Sequence, residues 1–248
     1  MRMPEASWDA ARIAPVLAGA AALVCVLIGG WWFGRLHDMQ QVQNLEVAGP
    51  MNHVSANAVA LAVGDRVDNG FLALDLEGVK RDVEQLPWVA RARAERFWPA
   101  GVRIQVWERA ASARWGAHQL LDVQAQAFTP PAADLLPELP MLDGPAGHER
   151  EVLDTYRRDG ARLASTQFAL AGLALDARGE WSATTQRGIG LRLGRGTPEQ
   201  KFEMLATTVS KALADRLDQV AYVDLRYTNG FAVGWKEQTQ SSAGTTHG

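Results

Sequence analysis

Hydrophobic residues are spread along this chain in three different patterns. From Ile13 to Gly34 they run for 22 residues without a charged side chain. From Val42 to Glu108 they recur at strand, then helical, then strand spacing. From Ala113 to Lys236 they come in short alternating runs broken by Gly and Pro. As a helix rising about 1.5 Å per residue, the first run would reach about 33 Å, against a hydrocarbon core of about 30 Å. It ends in Trp31, Trp32 and Phe33, side chains suited to a membrane interface. A single transmembrane helix over residues 13–34 is expected. A cleaved secretory signal is the rival, but the small residues that could mimic its cleavage site, Ala18 and Ala20, lie inside the apolar run. Arg2 and Arg12 precede the span and Arg35 follows it, which weakly favours residues 1–12 as a cytoplasmic tail and everything after the span as exterior.

In the second pattern, VQNLEVAG from Val42 reads as a strand, and Ser55 caps a weakly helical stretch. Asp75 is placed to cap a second helix, in which Leu76, Val79, Val83 and Leu86 recur until Pro87. The runs Val89 to Phe97 and Val102 to Glu108 flank the turn Trp98-Pro99-Ala100-Gly101, and Val102, Ile104 and Val106 alternate as one buried face. The order strand, helix, helix, strand, strand predicts a small sheet covered on one side by two helices, and an α+β fold class.

The third pattern opens with strands interrupted by Pro130, Pro131, Pro137, Pro140 and Pro145, which prevent any long regular element. A helix is expected from Glu149 to Ala164. Strands are expected at Phe168 to Ala177, Gly179 to Thr185 and Gly188 to Leu193. Thr197-Pro198-Glu199-Gln200 combines an N-cap, a first-turn proline and a capping-box Gln, opening a helix with Phe202, Leu205, Val209 and Leu213 inward. Strands Val220 to Arg226 and Phe231 to Trp235 flank Tyr227-Thr228-Asn229-Gly230, a hairpin signal. Residues 237–248 hold too little apolar content to fold and are expected to be a disordered tail.

A net charge of −3 leaves no electrostatic footprint for nucleic acid. The one cysteine, Cys25, lies within the apolar run, so no disulfide or thiolate metal site is expected in the exterior part. His37, His53, His118, His148 and His247 share no ligand spacing and none adjoins a nucleophile and base. Gly188, Gly190, Gly194 and Gly196 resemble a phosphate cradle only superficially, because they interrupt the alternation of Ile189, Leu191 and Leu193. Glu149 with Glu151, or Asp134 with Glu138, could serve as an acid and base pair for cleaving glycan strands, but exposed carboxylates at helix and loop ends are common. The last strand offers different chemistry. If Phe231 to Trp235 ends an open sheet, its unpaired amides and carbonyls can accept an incoming strand, with Ala232 and Gly234 leaving one face low. Against this, Tyr227 and Trp235 could be ordinary core aromatics.

Leu86-Pro87-Trp88-Val89, Arg96-Phe97-Trp98-Pro99 and Ala113-Arg114-Trp115 resemble the POTRA domain of the FtsQ/DivIB family of bacterial cell-division proteins. Leu139 to Pro145, Leu193-Gly194-Arg195-Gly196, and Tyr222 to Tyr227 leading to Val233-Gly234-Trp235 resemble that family's β-domain. The chain departs from the family at Ala111, where a proline is frequent, and at Thr228-Asn229, where a small polar pair is frequent. The resemblance implies a POTRA domain (β-α-α-β-β) at 42–112 and a mainly antiparallel β-domain with helices on one side at 113–236. It also implies a non-enzymatic, cofactor-free scaffold in the inner membrane at the division septum, with no small-molecule substrate. The implied partners are FtsB and FtsL at the β-domain and other division proteins such as FtsK at the POTRA domain. Carried over by position, the FtsB contacts would be Arg178, Arg226, Tyr227, Asn229, Gly230, Phe231 and Trp235. An anchored cell-wall enzyme and a POTRA-type chaperone are the competing readings.

Overall fold

The structure is a computed structural model that describes residues 22–31, 42–68, 70–228 and 230–236. Residues 22–31 form a helix, α1. No helix among the described residues is long and apolar enough to cross a membrane. Ten residues of α-helix rise only about 15 Å. The remainder of the expected span, the expected tails 1–12 and 237–248, His37, His247 and Asn229 all lie outside the described residues. The chain divides into two compact units, Met1–Glu108 and Arg109–Gly248.

In the first unit β1 (Asn44–Ala48), β2 (Val89–Phe97) and β3 (Gly101–Glu108) form a sheet of order β1-β3-β2, with β1 parallel and β2 antiparallel to β3. Helices α2 (Ala56–Val67) and α3 (Leu76–Glu84) pack on this sheet. Val102, Ile104 and Val106 are buried, as are Val59 and Val63 of α2 and Val79 and Val83 of α3, so the predicted alternation of β3 marks its core face. Ser55 caps α2 as its sequence suggests, its hydroxyl accepting the Ala58 N–H at 3.1 Å. Asp75 occupies the N-cap of α3 without a side-chain cap bond. Its carboxylate is drawn to Arg66 and Arg81 instead, at 3.8 and 3.4 Å.

The second unit is a single nine-stranded sheet of order β12-β11-β10-β9-β8-β7-β4-β5-β6. Its strands are β4 (Ala111–Trp115), β5 (Gln119–Asp122), β6 (Ala127–Phe128), β7 (Met141–Asp143), β8 (Leu170–Leu175), β9 (Glu180–Thr185), β10 (Gly190–Arg195), β11 (Val220–Asp224) and β12 (Ala232–Trp235). β4 with β7, β7 with β8 and β10 with β11 are parallel, and the remaining pairs are antiparallel. Helix α4 (Glu149–Leu163) and a helical run made of α5 (Glu199–Met204), a π turn (Leu205–Val209) and α6 (Ser210–Ala212) supply the other side of the core. Phe202, Leu205, Val209 and Leu213 are buried against Leu173, Leu191, Leu193 and Val223. Burying a side chain of this size is worth about 1.5–3 kcal/mol, so this face holds the run in place more firmly than its short α segments could alone.

Two local expectations are corrected. The run starting at Thr197 lacks the predicted capping box: α5 begins at Glu199, its N-cap position is Pro198, and no side-chain cap bond forms there. The hairpin expected at the end of the chain is present, for β11 and β12 pair antiparallel, but β11 stops at Asp224 and β12 starts at Ala232, so the connection is seven residues, 225–231, and not the four from Tyr227 to Gly230.

Glu108 gives the first unit a test of its closure. At the end of β3 its carboxylate accepts the consecutive N–H groups of Asn52, His53 and Val54 at 3.2, 2.9 and 2.7 Å, which fixes the loop between β1 and α2. Glu108→Ala is expected to lower stability by about 1–2 kcal/mol, because the acceptor is charged but part of the loop can turn to water. Amide exchange read residue by residue should speed up at 52–54 first. Unchanged protection there would show that the loop is held by something other than Glu108.

Candidate functional site

β12 ends the nine-stranded sheet, paired with β11 on one side only. Along an antiparallel strand, alternate residues turn their N–H and C=O outward, so one row of these groups has no strand partner among the described residues. The opposite edge is different. β6 is two residues long and Pro130-Pro131 follows closely, removing donors and blocking extension. β12 contains neither proline nor charge, so it is the edge that can accept another strand.

The positions proposed from sequence fall along this edge and the end of the sheet beside it. The register pairs Asp224 with Ala232 and Val220 with Trp235. Arg226, Tyr227, Gly230 and Phe231 therefore gather at one end of β12, while Trp235 lies at the other. Tyr227 and Trp235 are 57 % and 48 % exposed, which answers the core alternative for both. Phe231 and Val233 pack against the core. Around Gly230 an added Cβ would meet open space. The Tyr227 carbonyl accepts a bond from Lys201 Nζ at 2.7 Å, tying the loop to α5. Arg178 is exposed on the β8–β9 turn, at the same end of the sheet as Arg226 but three strand spacings, about 14 Å, in from β12. The structure thus brings Arg178 to the end of the sheet, not to the edge itself.

Arg226 is already engaged within the chain. Its Nε lies 2.9 and 3.1 Å from the Asp224 carboxylate oxygens Oδ1 and Oδ2, and Nη2 lies 2.6 Å from Oδ2. This hydrogen bonding holds the buried Asp224 carboxyl below the usual carboxylate range, although burial alone would raise it. The same clasp raises the Arg226 pKa. Asp176, in the β8–β9 turn, is also lowered, first by the N–H of Glu180 and further by that of Arg178. Between turn and clasp lies a cleft of about 260 Å³ lined by Asp176, Glu180, Ser182, Arg192, Gly194 and Arg226. It is smaller than ordinary small-molecule sites, which run from about 300 Å³.

Sequence reasoning missed Tyr222. The low strip expected at Gly234 is filled by this residue, for a Cβ on Gly234 would stand 2.1 Å from its ring. Arg192 lies 4.3 Å from the centre of the same ring. Only the register of three strands brings these residues together. Asp224 was more legible, since an Asp and an Arg two positions apart at a strand end can share one face.

Among the described residues no group of His, Cys, Asp and Glu is arranged to hold a metal ion. His148 binds Glu151 at 2.8 Å, and His53 stacks on Trp88 with ring centres 3.8 Å apart. Gly194 sits at a register shift in β10, and Gly188, Gly194 and Gly196 take positive φ, as bulge and turn glycines do. In the first unit, Arg91, Arg93 and Arg96 separate in purpose. Arg91 covers Trp107 at 4.3 Å, Arg93 pairs with Glu95, and Arg96 donates to the Phe71 carbonyl at 3.1 Å.

Comparison with known proteins agrees with this architecture. The pattern described as "Cell division protein FtsQ/DivIB, C-terminal" matches residues 113–226, and "POTRA domain, FtsQ-type" matches residues 41–109. A "Cell division protein FtsQ" of Escherichia coli strain K12 is 32 % identical, the match covering 90 % of this chain and 84 % of that one. One of Shewanella oneidensis is 34 % identical over 85 % of this chain and 83 % of its own. One of Coxiella burnetii is 27 % identical over 91 % and 92 %. On these matches, the chain belongs to the FtsQ family of cell-division proteins.

Proposed function

We propose that the chain is a non-enzymatic scaffold of the division machinery, held in the inner membrane by a span over residues 13–34 with residues 1–12 cytoplasmic. Its 42–112 POTRA domain and 113–236 β-domain then lie in the periplasm. There the β-domain binds FtsB, itself joined to FtsL, and so helps to control septal peptidoglycan synthesis. The observation that carries the reading is the free side of β12 at the end of the nine-stranded sheet. A strand of FtsB adds to β12, and Tyr227, Asn229, Gly230, Phe231 and Trp235 fix its register. Arg178 and Arg226 meet acidic residues of the partner beyond the strand itself. The POTRA domain contacts other division proteins such as FtsK, for which the outer side of β2 offers a second free edge among the described residues.

Binding of residues 41–248 to the exterior segments of FtsB and FtsL tests this. Trp235→Ala and Tyr227→Ala remove exposed side chains and should each weaken binding about 10- to 30-fold without unfolding, in the range of interface anchors. Phe231 is a poorer probe, because it also packs on the core. Arg178→Glu should weaken binding through charge reversal and should lose most of its effect at high salt. Tight binding that survives all three substitutions would move the partner to another surface.

The Asp224–Arg226 clasp adds a pH dependence. The folded-state pKa of Asp224 lies below its unfolded value of about 3.9, so the clasp stabilises fully above pH ~4 and loses its effect as pH falls through the folded value. Asp224→Asn should lower the unfolding midpoint at neutral pH and flatten its decline below pH ~4. Parallel acid limbs in the two proteins would show that another carboxylate controls this range.

A further inference from the structure

Two exposed apolar side chains mark one end of the first unit. Leu72 is 62 % exposed and Trp98 69 %. They belong to neighbouring loops, 70–75 between α2 and α3 and the turn between β2 and β3. These loops are fastened from below. The Phe71 ring is buried and meets the Trp98 indole edge-on, with ring centres 5.4 Å apart. Arg96 reaches from β2 to the Phe71 carbonyl at 3.1 Å and also donates to that of Leu74. The backbone is therefore held while both side chains stay outside.

The course of the chain identifies this end further. β1 begins here, for the Gln43 N–H donates to the Ala100 carbonyl at 2.8 Å and Asn44 pairs with Gly101. Residues 32–43 alone separate α1 from β1. A dozen residues span at most about 40 Å, so this end cannot stand far from the point where the chain leaves α1. Single exposed hydrophobes are ordinary on soluble surfaces. A Trp and a Leu on adjoining fixed loops, at the end where the chain arrives, form a patch with a direction.

We propose that this end of the first unit rests on the lipid surface, with the Trp98 indole and the Leu72 side chain in the interfacial zone of the bilayer. The inference deepens the reading of residues 13–34 as a membrane span and depends on it. An indole suits that zone because its ring is apolar and its N–H can remain hydrated. Attraction to anionic lipid is not the cause. The nearby Asp75 is compensated by Arg66 and Arg81, at 3.8 and 3.4 Å, and among the described residues Arg96 is spent on the Phe71 and Leu74 carbonyls and Arg103 on Glu46. The contact is therefore apolar, holds on neutral as well as anionic lipid, and resists salt. It sets the height and tilt of the first unit over the membrane.

The test uses the full chain with Cys25→Ser, carrying one nitroxide-labelled cysteine in turn from Leu72→Cys, Trp98→Cys or Leu61→Cys. Leu61, 76 % exposed on α2, serves as the water-facing reference. Each protein is reconstituted into vesicles of phosphatidylcholine, or of phosphatidylethanolamine with phosphatidylglycerol, and recovered by flotation. Labels at 72 and 98 should be several-fold less accessible to a water-soluble nickel chelate than the label at 61, in both lipids and at high salt. Equal accessibility at all three positions, in protein that floats with the vesicles, overturns the proposal and leaves the span intact. Protein that fails to float, or is extracted by alkaline carbonate, overturns the span and the inference with it.

Discussion

Pairing along β11 is the interaction on which the C-terminal end of the protein depends. The strand runs parallel to β10 and antiparallel to β12, so it joins the last four residues of the sheet to everything before them. Val220, Val223 and Leu225 face the core and fix its register, because a one-residue slip would turn buried side chains to water. Tyr222 and Asp224 then face the other way. There the Tyr222 ring settles on Gly234 and Asp224 takes hold of Arg226. The free edge of β12 is thus shaped from one strand inward, and a disturbance of β11 would reach the edge before any exposed residue was touched.

The two ends of the sheet show how such an edge persists in a folded domain. An unpaired strand invites aggregation, and natural proteins blunt it. The β6 end is blunted by brevity and by Pro130-Pro131. Among the described residues the β12 end is limited by its length, four residues. The loop leading into β12 is tethered by Lys201 to α5, and α5 in turn is joined through Glu199 to Arg162 of α4. Helix positions thus set where the loop stands.

Much of this was legible in the alternation of residues. Val102, Ile104 and Val106 declared the buried face of β3, and Phe202, Leu205, Val209 and Leu213 declared the inner face of the helical run, because burial imposes period on sequence. The helix start expected at Thr197 is displaced, with Pro198 at the N-cap of α5, and the hairpin expected around Tyr227 to Gly230 forms with a longer connection because β11 ends at Asp224. Local signals mark that a helix or a turn occurs, while tertiary packing sets where it begins and ends. The stacking of Tyr222 over Gly234 was not legible at all. It depends on strand register, which sequence spacing does not encode across the seven-residue loop. For the same reason the family resemblance could imply Arg178 as a contact without revealing that it stands three strands from the edge.

That separation constrains any partner. Four residues of edge offer two to four backbone hydrogen bonds, each worth about 1 kcal/mol net, whereas association alone costs about 4–15 kcal/mol. Backbone pairing on β12 can therefore set register, but it cannot supply the affinity of a stable complex. The remainder has to come from burying Tyr227 and Trp235 and from polar contacts at the end of the sheet, where Arg226 and the cleft beside it face outward. A partner confined to one added strand would miss that cleft and Arg178. One that adds a strand and then turns across the sheet end would reach both. On the scaffold reading proposed above, the partner element that fits this geometry is a strand joined to a flanking acidic segment, with the strand giving alignment and the flank the electrostatic selectivity.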